Sequence, residues 1–405
     1  MHTLTLLLGF ASLGSFGPTA AHSLHNTPHH QLRHAATHST PSRSAADDPF
    51  WRDDYLSING IRIGYHPDNG DGGGVAQNIN EINQYQKAKS FSVGLYAHVF
   101  EDQVFDGAEL FDLNASLLQG QSGLDPGSVD PSTVEVQKDV LFHQVVNSDA
   151  VLVATVMPAM SWAGMTKNNN TQAIRIAKAL KRYTDAGVVT WLRYAHEANW
   201  YNSDDCTEAP GGGKVYAGKP ANVKEGWAVV AAAVKKHAPL VKMFWSPNIG
   251  DQKSIEAYQP EDLSTIDIVG IDWYPDTVSV SLSEGMQWMH DKYCSETVPF
   301  VVGETGNIDS QAHRLQLLET WTNTTEGANM PYYKALGWCE CSAFFSLVHD
   351  SHFKVNYNKV DTNNTTCKAN PEVSEDCMDR FMIAGEDCTD CDKKEYRHFL
   401  QKLAD

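Results

Sequence analysis

The sequence predicts a (β/α)8 barrel, and three observations carry that expectation. From about Phe50 onward, short β-branched runs alternate with longer stretches of helical periodicity. Eight such runs fit the roughly 300 residues that a barrel of this kind occupies. No G-x-G-x-x-G or G-x-x-x-x-G-K-[ST] pattern follows the first run, which counts against a doubly wound nucleotide-binding sheet. The nearest candidate, the Gly-rich segment 68–74, has the wrong spacing for either phosphate loop and reads as a turn.

The expected strands are 58–65, 92–99, 150–156, 188–194, 241–245, 266–272, 298–303 and 343–348. Each is a short apolar run rich in Val, Ile or aromatic residues. Between them lie amphipathic segments. Ile174, Ala177, Leu180 and Tyr183 recur at helical spacing in 171–186. Trp227, Val230, Ala231 and Val234 do so in 223–237, and Leu315, Leu318 and Trp321 in 313–321. Trp191 lies inside its run and is expected in the core.

The flanks read differently. Residues 1–21 carry a short apolar run, Leu4 to Leu13, followed by small residues at Thr19, Ala20 and Ala21, as in a secretory signal peptide. Residues 22–48 are polar and hold six His at irregular spacing, which fits an unstructured leader better than a metal tract. The catalytic barrel is expected over 49–350. Residues 351–405 are expected to form a Cys-rich extension packed on the barrel and ending in a helix. Eight cysteines, Cys206, Cys294, Cys339, Cys341, Cys367, Cys377, Cys388 and Cys391, suit disulfides in an extracellular compartment. Their pairing is not legible in sequence, and Cys388 and Cys391 also form a C-x-x-C. N-x-[S/T] triplets at Asn114, Asn169, Asn323, Asn363 and Asn364 agree with a secreted glycoprotein.

With 31 basic and 50 acidic residues the net charge is −19, which disfavours phosphate backbones and anionic lipid surfaces. A neutral partner fits better, and ten Trp and fifteen Tyr supply flat faces on which sugar rings stack. The chain is read as a monomer that binds neither nucleic acid nor membrane.

Barrels of this class carry chemistry at the C-terminal ends of their strands. The fourth run ends in Leu192-Arg-Tyr-Ala-His-Glu-Ala-Asn-Trp-Tyr201 and the seventh in Val301-Val-Gly-Glu-Thr-Gly306. Each delivers a Glu where the chain leaves the barrel, and three βα units separate the two. Glycoside hydrolysis needs such a pair: one carboxyl protonated to donate to the departing oxygen, the other ionised to attack carbon or activate water. Distinct surroundings push the two pKa values apart. Structural salt bridges are the plainer alternative, and two Glu at matching strand ends favour catalysis over it. There is no G-x-S-x-G for a serine hydrolase.

These two segments resemble the paired signatures of clan A glycoside hydrolases. In most of the clan an Asn precedes the acid/base Glu. Here His196 precedes it, and with Trp200 downstream the motif is most similar to glycoside hydrolase family 26, whose members are chiefly endo-β-1,4-mannanases, with some acting on xylan and β-glucan. The resemblance runs from about Ile58 to His349. It implies a retaining double displacement with Glu197 as acid/base and Glu304 as nucleophile, and no metal or organic cofactor. It gives supporting roles to Arg193 near the nucleophile, to His196 beside the sugar or a carboxylate, and to Tyr274, in Gly270-Ile-Asp-Trp-Tyr-Pro275, as a donor to Glu304. An Arg and a phenol are also what a carboxylate needs to stay charged.

Aromatic and imidazole side chains at other strand ends are candidate sugar contacts: His98, Trp162, Trp200, Tyr201, Trp245 and Trp273, with Tyr96 beside them. The clan also places a Trp at the end of strand eight. The expected eighth strand carries Phe344 and Phe345 there, and Trp338 lies earlier. The first expectation is therefore an endo-acting β-mannanase. A xylanase or β-glucanase on the same barrel, or a catalytically silent carbohydrate-binding barrel, are its rivals.

Overall fold

A computed structural model describes residues 51–67, 78–100, 103–113, 115, 137–201, 216, 218–306 and 311–339. The leader, the Cys-rich segment and every cysteine except Cys294 and Cys339 lie outside the described residues. So do the sequons at Asn114, Asn363 and Asn364.

Eight parallel strands close into a barrel. They are β1 (Ile61–His66), β2 (Ser92–His98), β3 (Val151–Met157), β4 (Thr190–Tyr194), β5 (Lys242–Trp245), β6 (Ile268–Asp272), β7 (Phe300–Thr305) and β8 (Tyr333–Cys339). Each pairs with the next, and β8 returns to β1 in a register running from Arg62 opposite Ala335 to His66 opposite Cys339. Helices separate the strands: α1 (Ile79–Gln86), α2 (Ala108–Phe111), α3 (Val140–Ser148), α4 (Thr171–Asp185), α5 (Ala198–Tyr201), α6 (Pro220–His237), α7 (Gln252–Ala257), α8 (Leu282–Tyr293), α9 (Gln311–Trp321) and α10 (Thr324–Asn329). Alternation of strand and helix is what makes the sheet parallel, because each helix is the crossover back to the strand's starting end.

Two strand expectations need correction. The run beginning at Ile58 is a hairpin: Ser57–Ile58 pairs antiparallel with β1, and Asn59 and Gly60 form the two-residue turn with φ of 50° and 82°. Asn-Gly supplies the two left-handed residues such a turn requires. The eighth strand is Tyr333–Cys339 rather than 343–348. Tyr333–Cys339 holds no Val, Ile or Thr and carries Gly337, so the Phe-rich run downstream gives the stronger strand pattern. That glycine is needed because a Cβ there would stand 2.7 Å from the Gly303 carbonyl oxygen and 2.8 Å from the His66 ring. The described barrel is closed before residue 343, and the downstream run lies outside the described residues.

The barrel interior is layered. Val151, Val153, Trp191, Phe244, Val301 and Ala335 fill its lower part with Phe91. Trp191 is 1% exposed and meets Phe91 and Phe244 edge-on at 5.6 and 5.8 Å. One pleat higher on the same strands the inward residues turn polar, as period-2 alternation dictates: Thr155, Arg193, Ser246 and Asp272. The apolar layer is thus the floor on which the polar one stands. Outside it, helix faces such as Ile176, Ala177, Leu180 and Tyr183 of α4 pack on the outward residues of the strands.

Candidate active site

Arg193 is the hub of the polar layer. It is fully buried, and every donor direction is used. Its Nε donates to Thr155 Oγ1 at 2.9 Å, and Nη1 to both oxygens of Asp272 at 2.9 Å. Nη2 donates to Glu304 Oε1 and lies 3.5 Å from the Tyr96 hydroxyl. Ser246 Oγ donates to Asp272 Oδ1 at 2.5 Å. A guanidinium suits this role because its planar fork serves two carboxylates at once.

Glu304 leaves β7 above this hub. The ladder between β6 and β7 skips one residue after Ile271, so Asp272 pairs with Glu304 and Gly303 is passed over. Such an irregularity re-aims a side chain. Tyr274 donates its hydroxyl to Glu304 Oε2 at 3.0 Å. Burial alone would raise the pKa of Glu304, but the Arg193 charge beside it wins and holds the carboxyl well below the usual range.

Glu197 arrives from β4 through a tight turn in which Ala195 and Glu197 both have left-handed backbones, with φ of 50° and 52°. Neither is glycine, so each carries strain of about 1 kcal/mol. The turn is tied down by Ala195 N–H donating to Val156 O at 3.1 Å and Glu197 N–H to Ser246 O at 2.9 Å. The side chain of Glu197 is buried and, among the described residues, accepts one hydrogen bond, from Asn248 Nδ2 at 2.7 Å. Burial first, and then the nearby charge of Glu304, push its pKa up to about 8. The two carboxyls therefore differ in state near neutrality: Glu304 is ionised and Glu197 is protonated.

Carboxylate oxygens of Glu197, Asp272 and Glu304 lie within 4.8 Å of one another. Three acidic groups so close could gather a cation. Arg193 already donates to two of them, so the balancing charge of this cluster is a guanidinium.

Two histidines complete the wall. His196 Nε2 stands 3.9 Å from Glu304 Oε1, and its Nδ1 is buried with no partner among the described residues. Burial, and then Arg193, lower its pKa to about 3, so it is a neutral ring. Its edge meets Tyr201 at 5.6 Å. His66, at the end of β1, donates Nε2–H to the Gly303 carbonyl at 2.9 Å and is lowered to about 4 by burial and by Arg193.

The structure thus gathers Arg193, His196, Glu197, Tyr274 and Glu304 in one cluster. The outlying candidates divide. His98 is partly exposed and is gripped by buried Glu109 of α2, whose Oε1 lies 3.2 Å from Nδ1 and whose Oε2 accepts from the His98 N–H. Trp200 is 38% exposed and stands edge-on to half-buried Tyr201. Trp162 and Trp245 are 2% and 5% exposed, the latter edge-on against Tyr293 at 5.2 Å. Trp273 is half-buried against Trp321 at 5.1 Å.

Sequence reading passed over Asp272, Asn248, Asn199, His66, Thr155, Ser246 and Glu109. Most stand at or just past strand ends. Polar residues there, and Ser or Thr at inward positions of otherwise apolar strands, are the signal that would have found them.

No known sequence family and no curated protein matches the chain. Among solved structures it is similar to the modular endo-β-1,4-mannanase of Cellulomonas fimi from glycoside hydrolase family 26, with a TM-score of 0.44 and 11% identity over 70% of this chain and 65% of that one. The chain therefore spans less than two thirds of that protein. The Bacillus subtilis mannanase BCman gives 0.42 and 12% over 72% and 82%. A β-mannanase from a protist symbiont of the termite Reticulitermes speratus gives 0.40 and 14% over 69% and 80%.

Proposed function

We propose that the chain is a retaining glycoside hydrolase acting on internal β-linkages of a neutral cell-wall polysaccharide, with β-1,4-mannan as the first substrate. One observation carries the reading. Two buried carboxyls face each other at the barrel mouth, one kept ionised by Arg193 and Tyr274, the other kept protonated by burial. Retaining enzymes hold their carboxyl groups about 5–5.5 Å apart. One oxygen of Glu197 lies within 4.8 Å of one of Glu304, which supports the shorter, retaining separation over the roughly 6.5–9.5 Å of inverting enzymes.

In the first step Glu197 gives its proton to the glycosidic oxygen while Glu304 attacks the anomeric carbon, forming a glycosyl-enzyme ester and releasing the leaving sugar. Glu197 is then a carboxylate. In the second step it takes a proton from water, the water oxygen attacks the same carbon, and Glu304 departs with its charge restored. The net change is one glycosidic bond and one water consumed. Arg193 and Tyr274 neutralise charge on Glu304 before and after the ester. Neutral His196 lines the sugar site without competing as a base. His98, Trp200 and Tyr201 present accessible surface for neighbouring sugars. Trp338 lies on β8 but is buried in the apolar core, so it offers no open face to a sugar. The segment 1–21 supports secretion. No cofactor enters the scheme.

The test is a reducing-sugar assay of the purified chain on mannan, galactomannan, xylan, β-1,3-glucan, mixed-linkage glucan and cellulose. Glu304→Ala and the Glu197→Ala/Glu304→Ala double variant run beside it. Release from mannan that both variants abolish is the expected result. Release confined to xylan or a glucan moves the substrate, and unimpaired release by Glu304→Ala overturns the mechanism.

A further inference from the structure

We propose that Asn248, clamped in place by Asn199, is a positioning residue that decides which oxygen of Glu197 carries the transferable proton and how tightly that proton is held. The inference rests on the reading of Glu197 as acid and base.

The geometry is specific. Asn248 Nδ2 donates to Glu197 Oε1 at 2.7 Å, and among the described residues no other side chain donates to this carboxyl. Asn248 follows β5, where the chain has no strand neighbour to hold it fully. Asn199, two residues past Glu197, substitutes for one. Its Oδ1 accepts the Asn248 N–H at 2.9 Å, and its Nδ2 donates to the Asn248 carbonyl at 2.9 Å. One amide thus reads both backbone groups of residue 248, as a paired strand would. On the far side, Asn248 bridges to Asp272, and Ile249 N–H donates to Asp272 O at 2.9 Å. The donor to Glu197 is therefore fixed from both sides, and one of its clamps grows from the same turn as Glu197 itself.

The chemistry follows from the donor's direction. An amide N–H on Oε1 leaves that oxygen as the carbonyl oxygen of the protonated carboxyl, so the proton sits on Oε2. Once Glu197 has given the proton away, the same N–H stabilises the carboxylate that must next activate water. Asn248 is thus the counterweight to everything else around the group. Burial and the charge of Glu304 on β7 oppose ionisation, and Asp272 on β6, whose own carboxyl burial pushes up, stands beside them. Arg193 on β4 favours ionisation, yet its hydrogen bonds go to Glu304 and Asp272. Tyr274 donates to Glu304, and His196 is neutral. Without Asn248, no side-chain donor among the described residues would favour the ionised form of Glu197 by direct contact.

The experiment is a carboxyl titration of the full-length chain labelled with [δ-13C]glutamate, the Glu197 signal being assigned by its loss in Glu197→Gln. Wild type, Asn248→Ala, Asn248→Asp, Asn199→Ala and the Asn199→Ala/Asn248→Ala double variant are compared, with circular dichroism as the check on folding. Loss of a hydrogen bond to a charged group raises the midpoint in Asn248→Ala by about one to two pH units. Asn248→Asp keeps the shape but brings a carboxylate, and raises it further. Asn199→Ala shifts it the same way by less, and the double variant shifts no more than Asn248→Ala alone. The alkaline limb of kcat/KM on mannan moves with the midpoint, which a merely structural role would not cause. An unchanged midpoint in Asn248→Ala and Asn248→Asp overturns the proposal. Additive shifts in the double variant overturn the clamp. A wild-type Glu197 midpoint near 4 would instead sink the acid/base reading, and the differences among variants would still decide the role of Asn248.

Discussion

Gly303 and Asp272 pack so closely that a Cβ at position 303 would stand 2.4 Å from Asp272 Oδ1. The same atom would meet Ser246 Oγ at 2.5 Å and Arg193 Nη1 at 3.1 Å. The three groups it strikes are the buried ion pair and its hydroxyl partner, none of which is the loose end of an exposed side chain. Gly303→Ala is therefore expected to lose about 1–3 kcal/mol through overpacking, and to lose turnover because Arg193 is pushed off Glu304. Gly327 in α10 is the control, since a Cβ there meets nothing within 4 Å. Gly327→Ala is expected to gain about 0.5–1 kcal/mol as a helix substitution. Urea unfolding midpoints separate the two, and a wild-type midpoint for Gly303→Ala contradicts the packing argument.

Stability should fall as pH rises from 6.5 to 8 as far as the site contributes to it. Folded Glu197 releases its proton near 8, against 4.5 for an ordinary Glu. Between those values the folded chain keeps a proton that the unfolded chain has lost, so stability falls as pH rises. His66 and His196 run the other way. Their folded values, about 4 and about 3, lie below the ordinary 6.5. As pH drops below 6.5 the unfolded chain takes up protons that these buried rings refuse, so stability is lost downward. Below 6.5 the two histidines act against Glu197 and against Asp272, whose carboxyl burial also raises. Above 6.5 the histidines no longer contribute, and the raised His98 acts in the same sense as the two carboxyls. The slope from Glu197 is at most about 1.4 kcal/mol per pH unit. Urea unfolding at pH 6.5 and 8 is expected to show a fall in wild type. In Glu197→Gln that fall should shrink, and a fall of wild-type size would place the titration elsewhere.

Tyr274 touches the nucleophile with a single hydroxyl, so Tyr274→Phe is a small and readable change. Loss of a hydrogen bond to a charged carboxylate costs about 1.5–3 kcal/mol, which is about 10–100-fold in kcat/KM if it is felt in the transition state. The ionised form of Glu304 loses a donor, so its pKa rises and the acid limb of the rate profile moves to higher pH. Thermal unfolding should stay near wild type. A fall in activity with no movement of the acid limb would mean that Tyr274 acts on substrate rather than on Glu304.

Six of the eight barrel strands were legible because a buried parallel strand is a short apolar run, and that signal is local. The first was drawn too long and the eighth was missed. Ile58-Asn-Gly-Ile61 reads as continuous if the turn in its middle is ignored, and Gly337 weakens β8 to make room for His66 and the Gly303 carbonyl. The first departure was written locally in Asn59-Gly60, a hairpin signature; the second is imposed by packing that no single run of sequence reports. The site follows the same division. Glu197, Glu304, Arg193 and Tyr274 lie at or just past strand ends, and position together with the resemblance singled them out. Asn199, Asn248 and Asp272 matter through contacts between different strand ends, which only the closed barrel brings together.

The sugar-contact candidates sort by exposure, and two tryptophans make the sorting testable. Trp200 is 38% exposed at the end of α5, whereas Trp245 is 5% exposed and held edge-on by Tyr293. A sugar can stack only on a face that water can reach. Trp200→Ala removes an open aromatic face and little packing, so stability should change by no more than about 0.5 kcal/mol. KM on mannan should rise by about three- to tenfold, the worth of roughly 1 kcal/mol of stacking. Trp245→Ala instead opens a cavity and is expected to cost about 3–5 kcal/mol of stability. Its effect on KM, measured well below the unfolding transition, should be the smaller of the two. The pair is read by unfolding midpoints and Michaelis curves on the same preparations. A KM that responds to Trp245 and not to Trp200 would mean that the cleft opens on the β5 side in the bound state, and that the exposed face belongs to no sugar subsite.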